Sequence, residues 1–290
     1  MKTYIIFLLI LLFTACGGRK TQKPAEEKPI LTVSIEPLRY FAESIAGEHF
    51  HIISMVPEGS SPETYDPTPQ QLVELSRSRA FLRAGYIGYE LAWADKLKQN
   101  APNIPFFNLS DGVTLIHEEE KTEHPHAGGV EPHTWSSISN AYTISANICR
   151  ALCQIDPENK EYYMTRMTRL GTRLKQIDEK ILAYLNGGER TFLIYHPALS
   201  YFARDYGLTQ ISIEEGGKEP SPAQLKTLIN RCKKENVRTI FVQKEFDTRN
   251  AEAIARELNL SLIRINPLSY RWEEEMLHIA RTLSKSDEMP

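Results

Sequence analysis

Short apolar runs alternate with amphipathic patterns along most of the 290-residue chain. In the first half, four runs of β-branched and other apolar residues have the length of strands. These predicted strands cover residues 31–35, 50–56, 80–83 and 105–109. Helical patterns lie between them, one with Leu38, Phe41 and Ile45 on a single face and another over residues 89–99. Strands that alternate with helices predict βαβ units and a mostly parallel sheet.

The same alternation begins again in the last third of the chain. Further predicted strands cover residues 191–195, 210–213, 239–242 and 260–265. Predicted helices between and after them cover residues 198–206, 221–235, 248–258 and 270–283. A second set of βα units predicts a second lobe with its own mostly parallel sheet. The predicted fold class is therefore α/β, with two lobes in which helices flank each sheet.

One long amphipathic segment connects the two predicted lobes. From Tyr163 to Leu185 its apolar residues recur every three or four positions, so they form one stripe on one helix. Pro157 is a start signal and Gly187 a stop signal, which gives a helix about 43 Å long. Neither lobe needs so long a helix internally, and we predict a rigid connection. The predicted organisation is an N-terminal lobe at residues 30–155, a linking helix at residues 156–187 and a C-terminal lobe at residues 188–290.

The N-terminal residues have the pattern of a secretory leader. Lys2 precedes an apolar run at residues 4–13 that is too short to span a bilayer. The sequence TAC that ends at Cys16 resembles a lipobox, in which the cysteine is lipidated and becomes the mature N-terminus. We therefore predict a signal peptide at residues 1–15 and lipidation of Cys16, with an ordinary secreted protein as the alternative. The composition of residues 16–29 predicts a flexible tether.

Composition excludes several classes of protein. Charged residues make up 24% of the chain, its formal net charge is -3 and it has no basic block, so nucleic acid is not an expected partner. No apolar stretch after residue 15 is long enough to cross a bilayer. The remaining cysteines, Cys149, Cys153 and Cys232, are odd in number and form no CxxC pair, so we predict buried thiols rather than a disulfide framework.

Histidine is concentrated in one segment, which suggests metal binding. Four of the eight histidines fall within residues 115–135, together with five glutamates. Neutral imidazole and carboxylate are both ligands of divalent cations. His117, His124 and His126 are therefore candidates for weak metal binding, although the segment also fits a solvated acidic loop.

Polar residues also follow predicted strands of both lobes. His196 comes directly after the strand at residues 191–195, and the polar loops 57–63 and 266–267 follow strands of the N- and C-terminal lobes. Open α/β sheets bind ligands in the crevice outside the carboxyl ends of their strands. A lone histidine is more often structural, but polar groups that converge from both lobes favour a ligand site at this edge.

Three motifs occur along the chain, two of them at these loops. Residues 57–69 read PEGSSPETYDPTP, residues 131–135 read EPHTW and precede Asn140-Ala141, and residues 196–202 read HPALSYF and precede YGL at residues 206–208. With these motifs the chain resembles the zinc- and manganese-specific solute-binding proteins of bacterial ABC transporters, over nearly all of residues 31–283. The resemblance implies two α/β lobes joined by one long helix, the same organisation that the periodicity predicts.

The resemblance also implies a set of metal ligands, with two substitutions. His133 and His196 stand at ligand positions of the family. Glu63 stands where the family has its first histidine, and it replaces imidazole by a harder, anionic oxygen. Asn266 stands where the family has aspartate, and it offers only a neutral carbonyl oxygen. Reserve carboxylates near the same cleft are Glu214, Glu215 and Glu245, and Gln243 stands where the family has a glutamate.

The resemblance further implies an extracytoplasmic protein that captures Zn²⁺ between its lobes and delivers it to the permease of an ABC importer, without catalysis. Two imidazoles, one carboxylate and the histidine-rich loop favour zinc, whereas the hard oxygen of Glu63 leaves Mn²⁺ and Fe²⁺ as alternatives. We expect a monomer that is anchored by its lipid in the cell envelope, in the periplasm or on the outer face of a bacterial membrane.

Other functional classes use similar residues. A metal-dependent adhesin or a metal-storage protein would need a comparable ligand set. A periplasmic metallohydrolase would also need histidine and glutamate, with one open coordination position. The chain contains no HExxH, GxSxG or phosphate-loop motif, which counts against hydrolysis.

Overall fold

Two parallel sheets with flanking helices form the protein. The computed structural model describes residues 28–117, 129–214, 220–244, 246 and 249–284. Within them, all strand pairs of the two four-stranded sheets are parallel. The predicted fold class of two α/β lobes is therefore confirmed. The predicted signal peptide, Cys16 and most of the tether lie outside the described residues.

The N-terminal lobe alternates strands and helices as its periodicity predicts. In chain order it contains β1 (Ile30–Val33), α1 (Glu36–Ala46), a 3-10 turn (Gly47–His49), β2 (His51–Ser54), α2 (Pro69–Ser76), β3 (Phe81–Arg83), α3 (Gly88–Ala92), α4 (Ala94–Asn100), β4 (Phe106–Asn108) and α5 (Ile138–Ile155). The strand order across the sheet is β2-β1-β3-β4. The apolar face of α1, with Leu38, Phe41 and Ile45, is buried in the core, and this burial fixes the helix on the sheet.

One predicted helix of this lobe is divided. The pattern over residues 89–99 forms two short helices, α3 and α4, which meet at Trp93. The backbone of Trp93 leaves the helical conformation, with φ −104° and ψ 4°, and its indole Nε1 donates to Asp66 Oδ1 at 2.9 Å. A hydrogen bond to the loop after β2 thus accompanies the break in a locally helical pattern.

A single long helix, α6 (Lys160–Leu185), connects the lobes. Its 26 residues correspond to about 39 Å. The predicted first turn forms a 3-10 helix, Pro157–Asn159, and the α-helix begins only after it. The predicted apolar stripe from Tyr163 to Leu185 is buried except for the half-buried Met167, and α6 packs against α1 and α5. The connection between the lobes is therefore itself held against the N-terminal lobe.

The C-terminal lobe repeats the arrangement of the first. It contains β5 (Thr191–Ile194), α7 (Ser200–Tyr206), β6 (Thr209–Ser212), α8 (Pro222–Lys234), β7 (Ile240–Gln243), α9 (Arg249–Leu258), β8 (Leu262–Ile265) and α10 (Trp272–Thr282). The strand order is β6-β5-β7-β8. Ser221 and Gln224 form a capping box at the start of α8, with proline at the first helical position.

One of the two hydrophobic clusters in the described part of the chain extends across both lobes, and the other lies within the C-terminal lobe. Helix α6 packs against α10, and Phe192, Phe241 and Trp272 belong to the same buried cluster as the N-terminal core. The indole Nε1 of Trp135 donates to Pro267 O at 2.9 Å, and that of Trp272 donates to Trp135 O at 2.8 Å. The lobes therefore pack directly against each other, in addition to their connection through α6.

Two predictions from composition agree with the described residues. Cys149 and Cys232 are buried, Cys153 is half-buried, and all three are free thiols. Among the described helices, none combines the length and the apolar character that crossing a membrane requires.

Candidate metal centre

Loops at the carboxyl ends of both sheets enclose a small cavity between the lobes. It is lined by Ser61, Pro62, Glu63 and His133 of the N-terminal lobe and by His196, Ala198, Gln243, Phe246, Pro267 and Leu268 of the C-terminal lobe. Its volume is about 30 Å³, which suits an ion or a water molecule and is about tenfold below the smallest pockets for organic ligands. The cavity lies at the sheet edge where the sequence predicts a ligand site.

His133 and His196 face each other across this cavity. Both residues are buried, with 4% and 6% of their surfaces exposed, and their Nε2 atoms are 3.2 Å apart. Two imidazole nitrogens bound to one tetrahedral zinc ion, each at about 2.0–2.1 Å, would be about 3.3–3.4 Å apart. The two rings therefore already stand at the separation that ligands of a single ion require.

A carboxylate lies behind each imidazole ring. Glu131 Oε1 is 2.5 Å from His133 Nδ1, and Glu214 Oε2 is 2.9 Å from His196 Nδ1. A carboxylate in this position accepts the Nδ1 proton, so the Nε2 lone pair is left for a metal ion. Glu131 also accepts from Ser200 Oγ of the other lobe at 3.0 Å. Both glutamates therefore orient a histidine and fix its tautomer.

Only part of this arrangement could be predicted from the sequence. From the sequence, Glu214 is predicted as a reserve metal ligand. In the structure its carboxylate instead contacts Nδ1 of His196, the ring nitrogen that faces away from His133. Glu131 is recognised only as part of a motif, without a role of its own. Its position two residues before His133 was the available signal, because Glu131 Oε1 also accepts from the His133 backbone N–H at 3.0 Å.

The backbone of His196 is held by a neutral side chain. Gln243 Oε1 accepts from His196 N at 3.3 Å, and Gln243 Nε2 donates to His196 O at 2.6 Å. An ionised glutamate at this position would lack the donor half of this contact. The ring of Phe246 stacks on the His196 imidazole, with 4.9 Å between centroids and 16° between planes. His196 is therefore restrained at both its backbone and its ring.

Burial favours the neutral, metal-binding form of His196. Desolvation in the cleft lowers the pKa of this imidazole, and the adjacent His133 lowers it further, while the carboxylates of Glu214 and Glu63 act in the opposite direction. The net shift is downward. At neutral pH the ring is thus uncharged and can act as a ligand.

Glu63 reaches the cavity from the loop that follows β2. Its Oε1 atom is buried and, among the residues that the structure describes, has no hydrogen-bond partner. A buried carboxylate oxygen without a partner is costly, and a cation beside it would remove that cost. Within the same described residues, no group of three His, Cys, Asp or Glu side chains already stands at coordination distance. Of the candidate ligands, the structure thus brings His133 and His196 into direct proximity, and Glu63 lies beside them in the same cavity.

The structure does not bring Asn266 to the same cavity. Its Oδ1 accepts from Leu268 N at 3.1 Å, and its N–H donates to Glu275 Oε1 at 2.8 Å. The next two residues, Pro267 and Leu268, line the cavity instead. Its predicted oxygen ligand is thus engaged by the backbone of its own loop.

The secondary candidates are only partly described. His117 is exposed and forms an isolated antiparallel bridge with Val130, well outside the cavity lining. His124, His126, Glu215 and Glu245 lie outside the described residues. Their roles as ligands stay predictions.

Comparison with known proteins relates this geometry to one family. The family described as ZnuA, zinc-uptake complex component A, periplasmic, matches residues 31–286. A manganese ABC transporter substrate-binding lipoprotein, PsaA of Streptococcus mitis, is 27% identical over 273 residues, which are 89% of this chain and 86% of the relative.

Solved structures show the same similarity. A crystal structure of ZnuA has a TM-score of 0.82 and 33% identity, and the match covers 88% of this chain and 98% of that one. A zinc-bound deletion mutant of ZnuA has a TM-score of 0.83 and 31% identity, with coverage of 91% and 100%. The similarity thus extends over both lobes and the linking helix.

Proposed function

The chain belongs to the family of zinc-uptake complex component A, periplasmic, and we propose that it captures Zn²⁺ in the inter-lobe cleft for delivery to an ABC importer. This family consists of metal-binding substrate-binding proteins of ABC transporters, so the chain is a transport component and not an enzyme. In our proposal the ion is bound by the Nε2 atoms of His133 and His196 and by a carboxylate oxygen of Glu63. Water completes the tetrahedral coordination that zinc prefers.

The separation of the two imidazoles carries this proposal. An Nε2–Nε2 distance of 3.2 Å between two buried rings, each with a carboxylate at Nδ1, supports a role of both rings as metal ligands. In a structural role, two buried histidines would gain more from hydrogen bonds to other polar groups than from facing each other. The small volume of the cavity also supports an ion as the solute.

The lining of the cavity supports zinc as the metal. Manganese favours oxygen-rich, octahedral coordination, and most of the remaining wall is apolar, with Pro62, Phe246 and Leu268. Such a wall offers few further oxygen ligands beyond Glu63. Mn²⁺ and Fe²⁺ are the alternative solutes, because Glu63 hardens the site. The name of the relative PsaA as a manganese ABC transporter lipoprotein supports Mn²⁺ in particular.

We also propose that the chain is a monomer held at the membrane through lipid on Cys16. The lipobox-like sequence before Cys16 supports an anchor, and the PsaA relatives are named as lipoproteins. From this anchor the loaded protein would dock on the permease of its importer, in the periplasm or on the outer face of the membrane. Expression of a Cys16→Ser variant tests the anchor: the protein should leave the membrane fraction, and an unchanged distribution would refute lipid attachment.

Elemental analysis of purified protein, together with competitive zinc titration, tests the proposed solute. We expect one zinc ion per chain, and at least tenfold weaker binding, about 1.4 kcal/mol, in His133→Ala and His196→Ala. His278→Ala is the matched control, because His278 is exposed on α10, its Nε2 atom lies 3.2 Å from Arg264 O, and it does not line the cavity. If His133→Ala or His196→Ala bound zinc with wild-type affinity, the substituted histidine would not be a ligand and the proposed site would be wrong at that residue.

A further inference from the structure

The N-terminal end of α3 makes an unusually close backbone contact with Glu63. A Cβ atom added at Gly88 would lie 2.3 Å from Glu63 O and 3.0 Å from Glu63 Cα. Both are backbone atoms of Glu63, so no side-chain rotation could relieve the overlap. Residue 88 must therefore be glycine for the Glu63 backbone to occupy its present position.

We propose that Gly88 is a positioning residue for the metal: the absence of its side chain keeps Glu63 within reach of His133 and His196. This inference rests on the proposed function, because it assumes that Glu63 binds the ion. Gly88 is not among the residues that line the cavity, and the atoms nearest to its added Cβ all belong to Glu63. It acts on affinity and metal preference through Glu63 alone.

Further contacts fix the Glu63 segment on the start of α3. The Tyr89 backbone N–H donates to Pro62 O at 3.1 Å, so the first turn of α3 holds the residue immediately before Glu63. The rings of Tyr65 and Tyr89 also meet edge to face, with 6.1 Å between centroids. The loop therefore contacts α3 on both sides of Glu63.

Helix α3 is itself anchored to the sheet by a buried carboxylate. Glu90 is fully buried, and it accepts from Ala84 N at 2.8 Å, from Gly85 N at 2.7 Å and from Ser34 Oγ. These bonds tie α3 to the turn after β3 and to the end of β1. When residue 88 gains a side chain, we expect the loop that carries Glu63, which lies outside any helix or strand, to move more easily than this anchored helix.

The expected displacement is large on the scale of metal coordination. The distance between the added Cβ and Glu63 O would have to increase from 2.3 Å to at least about 3.0 Å. Metal–ligand distances, by contrast, vary by only about ±0.2 Å. The histidines would stay in place, because Glu131, Glu214 and Gln243 restrain them independently of α3. Loss of the hard oxygen should reduce manganese binding more than zinc binding.

Titration of a Gly88→Ala variant with zinc and with manganese tests the inference. We expect at least tenfold weaker zinc binding and a higher zinc-to-manganese affinity ratio than in the wild type. Gly171→Ala is the matched control, since its Cβ would meet only Tyr142 Cε1 at an ordinary 3.6 Å, and it should bind both metals as the wild type does.

A double-mutant cycle with Glu63→Ala separates positioning from general damage. In the Glu63→Ala background, Gly88→Ala should cause no further loss of zinc affinity, because there is no carboxylate left to displace. An equal loss in both backgrounds, or wild-type affinity of Gly88→Ala itself, would overturn the inference. Circular dichroism and thermal unfolding of each variant confirm that the compared proteins are folded.

Glu90→Gln provides a second variant if Gly88→Ala does not fold. It loosens the anchor of α3 without added bulk, because an amide nitrogen cannot accept from Gly85 N or Ala84 N. Its zinc affinity should fall by a smaller factor, again only when Glu63 is present. Failure of both variants to fold, or unchanged affinity in Glu90→Gln, would contradict a positioning role. A wild-type protein without zinc affinity would instead refute the proposed function. An unaffected Glu63→Ala variant would refute this inference and the role of Glu63 as a ligand, while zinc capture by His133 and His196 would stand.

Discussion

The carboxylate behind His196 offers a sharp test of how the centre is organised. Glu214 Oε2 lies 2.9 Å from His196 Nδ1, and only 8% of Glu214 and 6% of His196 are exposed. Glu214→Gln preserves the size of the side chain but removes its charge. The amide oxygen can still accept the Nδ1 proton, yet the neutral hydrogen bond is weaker than the charge-assisted one. The negative charge that raises the basicity of the ring is also lost.

The expected loss of zinc affinity in Glu214→Gln can be estimated from other carboxylates that hydrogen-bond to metal-binding histidines. Replacing the partner of a metal-binding histidine typically reduces metal affinity about 10–100-fold, or about 1.4–2.8 kcal/mol. The effect should lie within this range, because the contact is direct and buried from solvent. An amide can also turn its NH₂ group toward Nδ1, which would stabilise the tautomer with the proton on Nε2 and block the ligand position.

Competition with a chromophoric chelator measures the zinc affinity of Glu214→Gln against the wild type. Glu257→Gln is the matched control, because Glu257 is an exposed glutamate of the same lobe that pairs with Lys233 Nζ at 2.8 Å. Nitrogen NMR of the apo proteins should show the proton of His196 on Nδ1 in the wild type and a shifted tautomer population in Glu214→Gln. Wild-type zinc affinity in Glu214→Gln would refute the argument that this carboxylate prepares His196 for the ion.

Three further outcomes follow from the same geometry. Glu63→His should raise the zinc-to-manganese affinity ratio and Glu63→Ala should weaken both metals, as measured by competitive titration; unchanged affinities in both would mean that Glu63 points away from the ion. Burial lowers the pKa of His196, so protons should compete with zinc for this ring only below about pH 6.5. A loss of zinc affinity between pH 8 and pH 7 that is absent from His196→Ala would contradict this expectation. Zinc should change the radius of gyration in small-angle scattering only slightly, because α6 and the shared core join the lobes; marked compaction would contradict this rigidity.

Most of the fold follows from local patterns in the sequence. Each described strand lies within two residues of a predicted one, because apolar runs between helical patterns are a local property of the chain. The division at Trp93 was not predictable in this way, since it coincides with a hydrogen bond to Asp66, which is distant in sequence. Such a contact forms only when the loop after β2 packs against the helix, and the local pattern of apolar residues does not contain this information.

For the candidate site, too, some features could be predicted from the sequence and others could not. Motifs singled out His133 and His196, and the structure brings them together. The partnership of His196 with Glu214 depends on neighbouring strands β5 and β6, so residue types alone did not assign it. For Asn266 a local signal was available: asparagine side chains often bond the backbone two residues later, and Asn266 Oδ1 does accept from Leu268 N.

X-ray absorption at the zinc edge tests the central claim most directly, because it counts the imidazoles around the bound ion. We expect two imidazole nitrogens at about 2.0–2.1 Å with one or two oxygen ligands in the wild type, and one imidazole fewer in His133→Ala and in His196→Ala. A spectrum without imidazole scattering, or one that neither substitution alters, would contradict capture of zinc between His133 and His196.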